Sequence, residues 1–206
     1  MTDEPVELSP RSVFLLGFSF EIALVFVAAV IGLLVRGVPF PFQLSFDWEG
    51  LAWALGAALP MAASAVFNTS DIAQRIGPLR RIHDRVKSIL GPAIREMSGL
   101  DLVLLSVAAG VGEEVLFRGV LQTVLGAHGL WVSSLLFGVL HALTFTYFVL
   151  AGLIGLYCGW LFQVTGNLLA PVLVHALYDI VALWRLQKRF RCESAREESA
   201  SAEAEE

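Results

Sequence analysis

Charge is scarce in this sequence. Asp, Glu, Lys and Arg make up 16% of the 206 residues, while 56% are hydrophobic; an average soluble domain is roughly 25% charged. A soluble domain of this size cannot hide that much apolar surface from water, so the solvent must be lipid. Basic residues are also short. Fourteen Lys and Arg against nineteen Asp and Glu give a net charge of −5, which argues against a nucleic-acid binder. There are two cysteines, Cys158 in an apolar run and Cys192 in a charged tail, and they make no disulfide framework. The N-terminus, MTDEPVELSPR, is acidic where a signal peptide wants a basic start, so the first apolar run reads as a retained helix. The C-terminal AEAEE carries no prenylation box.

What the chain has is long apolar runs. A spanning helix needs about 20 apolar residues, and six segments stand out, at roughly 13–35, 51–67, 101–125, 130–146, 147–164 and 168–187. The expected fold is all-α, a polytopic membrane helix bundle of about six transmembrane helices. The turns near 126–129 and 164–167 are tight, so the last four segments form a compact antiparallel set. Three regions are expected: a two-span membrane region at 1–100, a four-helix core at 101–187, and a charged, disordered cytoplasmic tail at 188–206.

The stretch 68–99 is different. Ile72, Ile76, Leu79, Ile82, Val86, Ile89, Leu90, Ile94 and Met97 recur at helical spacing, beside a basic face of Arg75, Arg80, Arg81, Arg85, Lys87 and Arg95. This predicts an amphipathic helix on an anionic membrane surface, broken at Gly77-Pro78 and Gly91-Pro92. The alternative is an amphipathic helix packed on the bundle. The other basic cluster is Arg185, Lys188, Arg189 and Arg191, whereas the loop 36–50 holds only Arg36. Basic loops face the cytoplasm, so both termini and the 68–99 loop are expected inside, in an integral protein of the cell membrane.

Against this background a few ionisable residues are out of place. Each charge at a helix centre costs about 2.5–3.5 kcal/mol, yet the third segment carries Glu113, Glu114 and Arg118 in GVGEEVLFRG. Glu114 and Arg118, at i and i+4, lie on one face and can form an ion pair. That leaves Glu113, turned about 100° away, without a local cation. The fourth segment adds His141, one turn after Phe137, and the sixth adds His175 and Asp179, again at i and i+4. At 1.5 Å per residue from the outer turns, Glu113, His141 and Asp179 lie about 16–18 Å deep and His175 about 10 Å. Converging intramembrane ionisable groups mark a functional site. His128, in a turn, and His83, in the basic stretch, are read as structural.

A carboxylate beside an imidazole can take a proton from water, and a second His oriented by an Asp can donate to a developing oxyanion. These parts suit amide hydrolysis. A Glu with two His is also a set of zinc ligands, so a divalent metal such as zinc is a possible cofactor, although H-E-x-x-H is absent. Other readings are a redox protein with His141 and His175 as axial haem ligands, a non-catalytic immunity or scaffold protein, and a proton-coupled transporter. The haem reading gives Glu113, Glu114 and Arg118 no task, and six spans without an inverted repeat do not favour a transporter.

At these residues the sequence resembles the CAAX prenyl protease and bacteriocin-processing (CPBP, or Abi) family of intramembrane proteases. The pattern E-E-x-x-x-R, F-x-x-x-H, H-x-x-x-N/D is met by Glu113-Glu114 with Arg118, by Phe137 with His141, and by His175 with Asp179, over about residues 100–183. The resemblance implies a glutamate-dependent endopeptidase in the membrane, acting on a membrane-associated protein or a prenylated or bacteriocin-type peptide. It implies that Glu113 activates water with His141, that His175 and Asp179 support the oxyanion, and that Glu114 and Arg118 hold the motif helix. The third motif ends in Asp where the eukaryotic prenyl proteases have Asn. Asp donates no hydrogen bond unless protonated, so it is expected to orient His175. A cavity open to the cytoplasm, walled by segments three, four and six with the 68–99 helix at its rim, is expected to admit water. Membrane lipids and the substrate are the expected partners.

Overall fold

The computed structural model describes residues 9–36 and 43–205. The acidic residues 1–8 and most of the first connecting loop lie outside them. The described residues form helices joined by short turns and irregular connections, with no strand among them. The helices are α1 (Pro10–Arg36), α2 (Trp48–Asn68), a single turn α3 (Asp71–Gln74), α4 (Gly77–Glu96), α5 (Gly99–Glu114), α6 (Gly129–Leu140), α7 (Phe145–Thr165) and α8 (Leu169–Glu205). Between α5 and α6 the chain continues as a π-helix, Val115–Gln122, and a short 3₁₀ turn, Gly126–His128.

Among the described residues, four helices are long and apolar enough to cross a membrane: α1, α2, α7 and α8. The expectation of about six is corrected at the third and fourth segments. The third is divided where its helix changes from α to π after Glu114. The fourth is only the 12 residues of α6, about 18 Å at 1.5 Å per residue, against a hydrocarbon core of about 30 Å. It stops at His141 and the chain re-enters helix after Thr144, whose hydroxyl accepts from the Tyr147 amide. The junction between segments four and five thus falls within a few residues of its expected place.

Local chemistry sets the other boundaries. Ser98 and Asp101 form a reciprocal capping box that starts α5, fixing the register of the helix that carries Glu113 and Glu114. At the opposite end of the bundle Asp47 caps α2 through the Gly50 amide, and the Asn167 side chain ties Ser45 and Asp47 to the turn before α8. Gly166, at φ 62°, ends α7 in a left-handed conformation that glycine adopts without steric cost.

The two basic stretches pack against each other, α4 in the way the alternative reading had it and the tail as a helix. Helix α4 packs against the bundle: Leu79, Ile82, Val86, Leu90 and Ile94 face inward on a cavity. The predicted break at Gly77-Pro78 is the start of α4, with proline in its first turn. At Gly91-Pro92 the helix continues to Glu96, because α8 holds its last turn. The Gln187 amide donates to the carbonyls of Ile94 and Met97, and Arg191 Nε donates to that of Arg95. The tail after 188 is helical, where a disordered segment was expected. It extends α8 along α4, with Lys87 Nζ 2.9 Å from both Glu193 and Glu197 and Arg189 2.6 Å from Asp71. These cross-helix pairs, with Phe190 buried against His83, order a segment too polar to fold alone.

Candidate active site

The first motif straddles the change from α- to π-helix. Arg118 lies in the π-helix, fully buried, with Nε 3.1 Å from Glu114 Oε2, and Glu114 is equally buried. The guanidinium donates to the Gly155 carbonyl at 2.9 Å and sits over the rings of Phe117 and Phe137. One turn on, Gln122 donates to the Gly159 carbonyl at 2.9 Å. Gly155 and Gly159 sit under the two rungs, with ordinary clearance from Arg118 at Gly155 and a close approach to Gln122 at Gly159. A Cβ at Gly155 would lie 3.4 Å from Arg118 Nη2, and one at Gly159 would lie 2.7 Å from Gln122 Oε1. The Gly-x-x-x-Gly of α7 is thus spent inside the chain, as small-residue stripes commonly are between membrane helices. π-Helical segments often accompany functional sites.

Glu114 has a second partner. His175 Nδ1 donates to Glu114 Oε1 at 2.7 Å, which leaves the opposite nitrogen, Nε2, facing Glu113 Oε2 and Asp179 Oδ2, each at 3.6 Å. His141 is arranged in the same sense. Its Nδ1 donates to the Phe137 carbonyl at 2.8 Å, and its Nε2 lies 3.5 Å from Glu113 Oε1. When one ring nitrogen holds its proton in a hydrogen bond, the other is fixed as the reactive one. The Phe137 ring is stacked on His141 and meets His175 edge-on, spacing the two imidazoles.

All six expected residues therefore fall in one cluster. Glu113, Glu114, Arg118 and His175 are buried. His141 and Asp179 are the more open members, each with about a quarter of the side chain exposed, 26%. The 3.5–3.6 Å contacts of Glu113 are longer than a direct hydrogen bond, and its Oε2 has no hydrogen-bond partner among the described residues. Among the described residues, no three His, Cys, Asp or Glu side chains are arranged to hold a metal ion. Both cysteines are free, Cys158 buried and Cys192 exposed.

The cluster opens on a cavity of about 400 Å³. Glu113, His141, His175, Asp179 and Tyr147 form its polar end, and the apolar face of α4 closes the opposite end. The expected walls, segments three, four and six, are there. Sequence reasoning missed the contribution of α1, which lines the cavity with Val13, Gly17 and Glu21. The signal was a lone Glu within the first apolar run. His83, read as structural, also lines the cavity from α4, with its Nε2 3.2 Å from Glu193.

A helical membrane bundle with a carboxylate between two oriented imidazoles defines a class: an integral membrane protein with a buried cluster of ionisable side chains. Comparison with known proteins narrows it. Residues 96–181, from the end of α4 into α8, match the family described as Type II CAAX prenyl endopeptidase Rce1-like. The match covers somewhat under half of the chain and includes all three motifs. An uncharacterized protein of Bacillus subtilis (strain 168), YpbD, is 37% identical over 95 residues, which is 43% of this chain and 46% of that protein. The matching region therefore spans about half the length of that relative. No solved structure matches.

Proposed function

We propose that this chain is an intramembrane endopeptidase that uses Glu113 to activate water. The observation that carries the reading is the position of Glu113, between the Nε2 atoms of His141 and His175 at 3.5 and 3.6 Å, on the wall of a cavity large enough for a peptide segment. The family match supports the protease class.

The chemistry follows from the atoms that face the cavity. Water bound at Glu113 gives a proton to the carboxylate as its oxygen attacks the scissile carbonyl carbon. Negative charge then develops on the carbonyl oxygen. His175 is held by Glu114 and stands beside Asp179, so a protonated Nε2 can donate to that oxyanion. His141, fixed by the Phe137 carbonyl, orients the water and helps Glu113 hold and pass on the proton. Collapse of the tetrahedral species breaks the C–N bond, and Glu113 returns the proton to the leaving amine. Asp179 accepts and does not donate when ionised, so its part is to orient His175.

The topology that fits has both termini in the cytoplasm. The two basic clusters meet at one end of the bundle, where α4 packs along the last part of α8, and basic ends face the cytoplasm. The segment from α5 through the π-helix then crosses with α1, α2, α7 and α8, and α6 reaches part-way. The substrate is a membrane-associated protein or peptide that enters from the cytoplasmic side. The test is a comparison of cleaved membrane peptides between cells with the native chain and cells with Glu113→Ala. Peptides that vanish in the variant support the reading, and identical peptide sets overturn it.

A further inference from the structure

The mechanism leaves one buried carboxylate of the cavity without a task. Glu21, midway along α1, is 8% exposed, lines the cavity, and has an Oε2 without a hydrogen-bond partner. It is held close to the site because residue 112 is glycine. A Cβ there would lie 2.5 Å from the Glu21 carbonyl oxygen and 3.2 Å from its Oε2, so any side chain at 112 would push α1 off α5. The fold thus places this carboxylate one residue from the turn that carries Glu113, within electrostatic reach of Glu113, Asp179, His141 and His175.

A count of charge shows what the position lacks. Glu21, Glu113, Glu114 and Asp179 can bear four negative charges. Arg118, His141 and His175 bear at most three positive ones, even with both imidazoles protonated. Arg118 is engaged by Glu114, and the imidazoles lie against Glu113, Glu114 and Asp179. The uncompensated carboxylate is Glu21. Burying a charge without a partner is costly, and a cation delivered to it in low dielectric is held firmly. Most of the remaining lining is apolar, with Leu79, Ile82, Val86 and Leu90 of α4 opposite and the polar Asn68, Thr69 and His83 among them.

We propose that Glu21 is a specificity-determining residue that receives a Lys or Arg side chain of the bound peptide, while the peptide's apolar side chains lie against α4. As a substrate preference this rests on the protease reading above; as recognition of an amphipathic cation it stands on the cavity alone.

Two measurements test it. In the comparison of cleaved membrane peptides, the sites that depend on Glu113 carry a Lys or Arg at a fixed distance from the cut. In Glu21→Gln, which keeps the shape and loses the charge, the ratio of cleavage at basic to non-basic sites falls by about tenfold or more. Glu21→Lys supplies the missing cation from within and produces the same loss. The second measurement needs no turnover. Purified protein in lipid nanodiscs is melted with octylguanidinium or with uncharged octylurea. The cation raises the Tm of the native chain and of Glu113→Gln, but not of Glu21→Gln or Glu21→Lys. Equal stabilisation of native and Glu21→Gln, or cut sites without a fixed basic position, overturns the proposal. Peptide sets that do not depend on Glu113, with the Glu21-dependent Tm shift intact, overturn the protease reading instead and leave the cation site standing.

Discussion

His175 donates from Nδ1 to Glu114 at 2.7 Å, and so the second glutamate of the motif aims the imidazole that faces the first. Glu114 therefore serves two partners at once, Arg118 through Oε2 and His175 through Oε1. The pair Glu114–Arg118 does more than neutralise charge within α5 and the π-helix. It links the helix of Glu113 to α7 through the Gly155 carbonyl and to α8 through His175. The surroundings of Glu113 and the packing of three helices thus depend on the same two buried side chains.

Replacing Glu113 by Gln is expected to leave the protein folded and inserted but to cut turnover by about 10²–10⁴-fold, the usual worth of a positioned acid–base group. Gln preserves the shape and loses the proton acceptor. Expression and Tm report folding, and peptide cleavage reports chemistry. Unchanged cleavage by a folded Glu113→Gln protein removes Glu113 from its assigned role.

Arg118→Ala is expected to harm folding more than the Glu113 change does, since it strands Glu114 at full burial. Breaking such a pair by removing one partner costs about 3–5 kcal/mol. The double change Glu114→Gln with Arg118→Met removes both charges and should recover much of that stability. It should not recover activity, because His175 loses its ionised anchor. A double variant no more stable than Arg118→Ala would show that the pairing energy is misplaced.

The motif residues were legible in the sequence because a charge in an apolar run has few explanations. Glu113, Glu114, Arg118, His141, His175 and Asp179 all stand out in this way, and all six meet. The inward turn of α4 was not legible. Periodicity shows that Leu79, Ile82, Val86 and Leu90 share a face, but lipid tails are as apolar as a bundle interior, so the period alone cannot say which one that face meets. The order of the tail was hidden for another reason. It depends on pairs such as Lys87 with Glu197, far apart in sequence, while local composition reads only as solvated charge. Glu21 stood alone without a second motif residue beside it, and it reaches the site only through the packing of α1 on α5, closest at Gly112.

Docking of α4 on α8 is expected to loosen in acid. His83 is buried beside Phe190, and burial holds its imidazole below the ordinary value of 6.5, against the opposing pull of Glu193. Lys87, Arg189 and Asp84 complete its charged surroundings. With the folded value depressed, the undocked form binds more protons, so docking strengthens as pH rises through the window just below 6.5 and weakens as pH falls through it. Protection factors along residues 77–96, which remove the intrinsic pH dependence of amide exchange, should therefore be lower at pH 5 than at pH 7.5. The difference should shrink in His83→Gln, which cannot charge. An equal acid response in that variant would assign the effect to the Glu193 and Glu197 contacts instead.

The remaining prediction concerns how water and substrate reach Glu113. Lipid supplies no water, and Glu113 lines a cavity whose far end is formed by α4 and by Asn68 and Thr69 at the end of α2. That end carries both basic clusters, so it is the cytoplasmic end of the proposed topology. Single cysteines at Ser106 and Ala109 on α5 and at Ala182 and Leu186 on α8, all lining the cavity, should react with membrane-impermeant thiol reagents applied from the cytoplasmic side. The background should carry Cys158→Ala and Cys192→Ser. Labelling at Ala109, nearest Glu113 in sequence, should lag behind Leu186, since a reagent must pass α4 to reach it. Weakening the α4–α8 contact with Lys87→Ala and Glu193→Gln should speed labelling at Ala109 more than at Leu186. Labelling from the outer face only would reverse the topology. Equal rates at both positions, unchanged in the weakened variant, would mean that α4 does not restrict the way in.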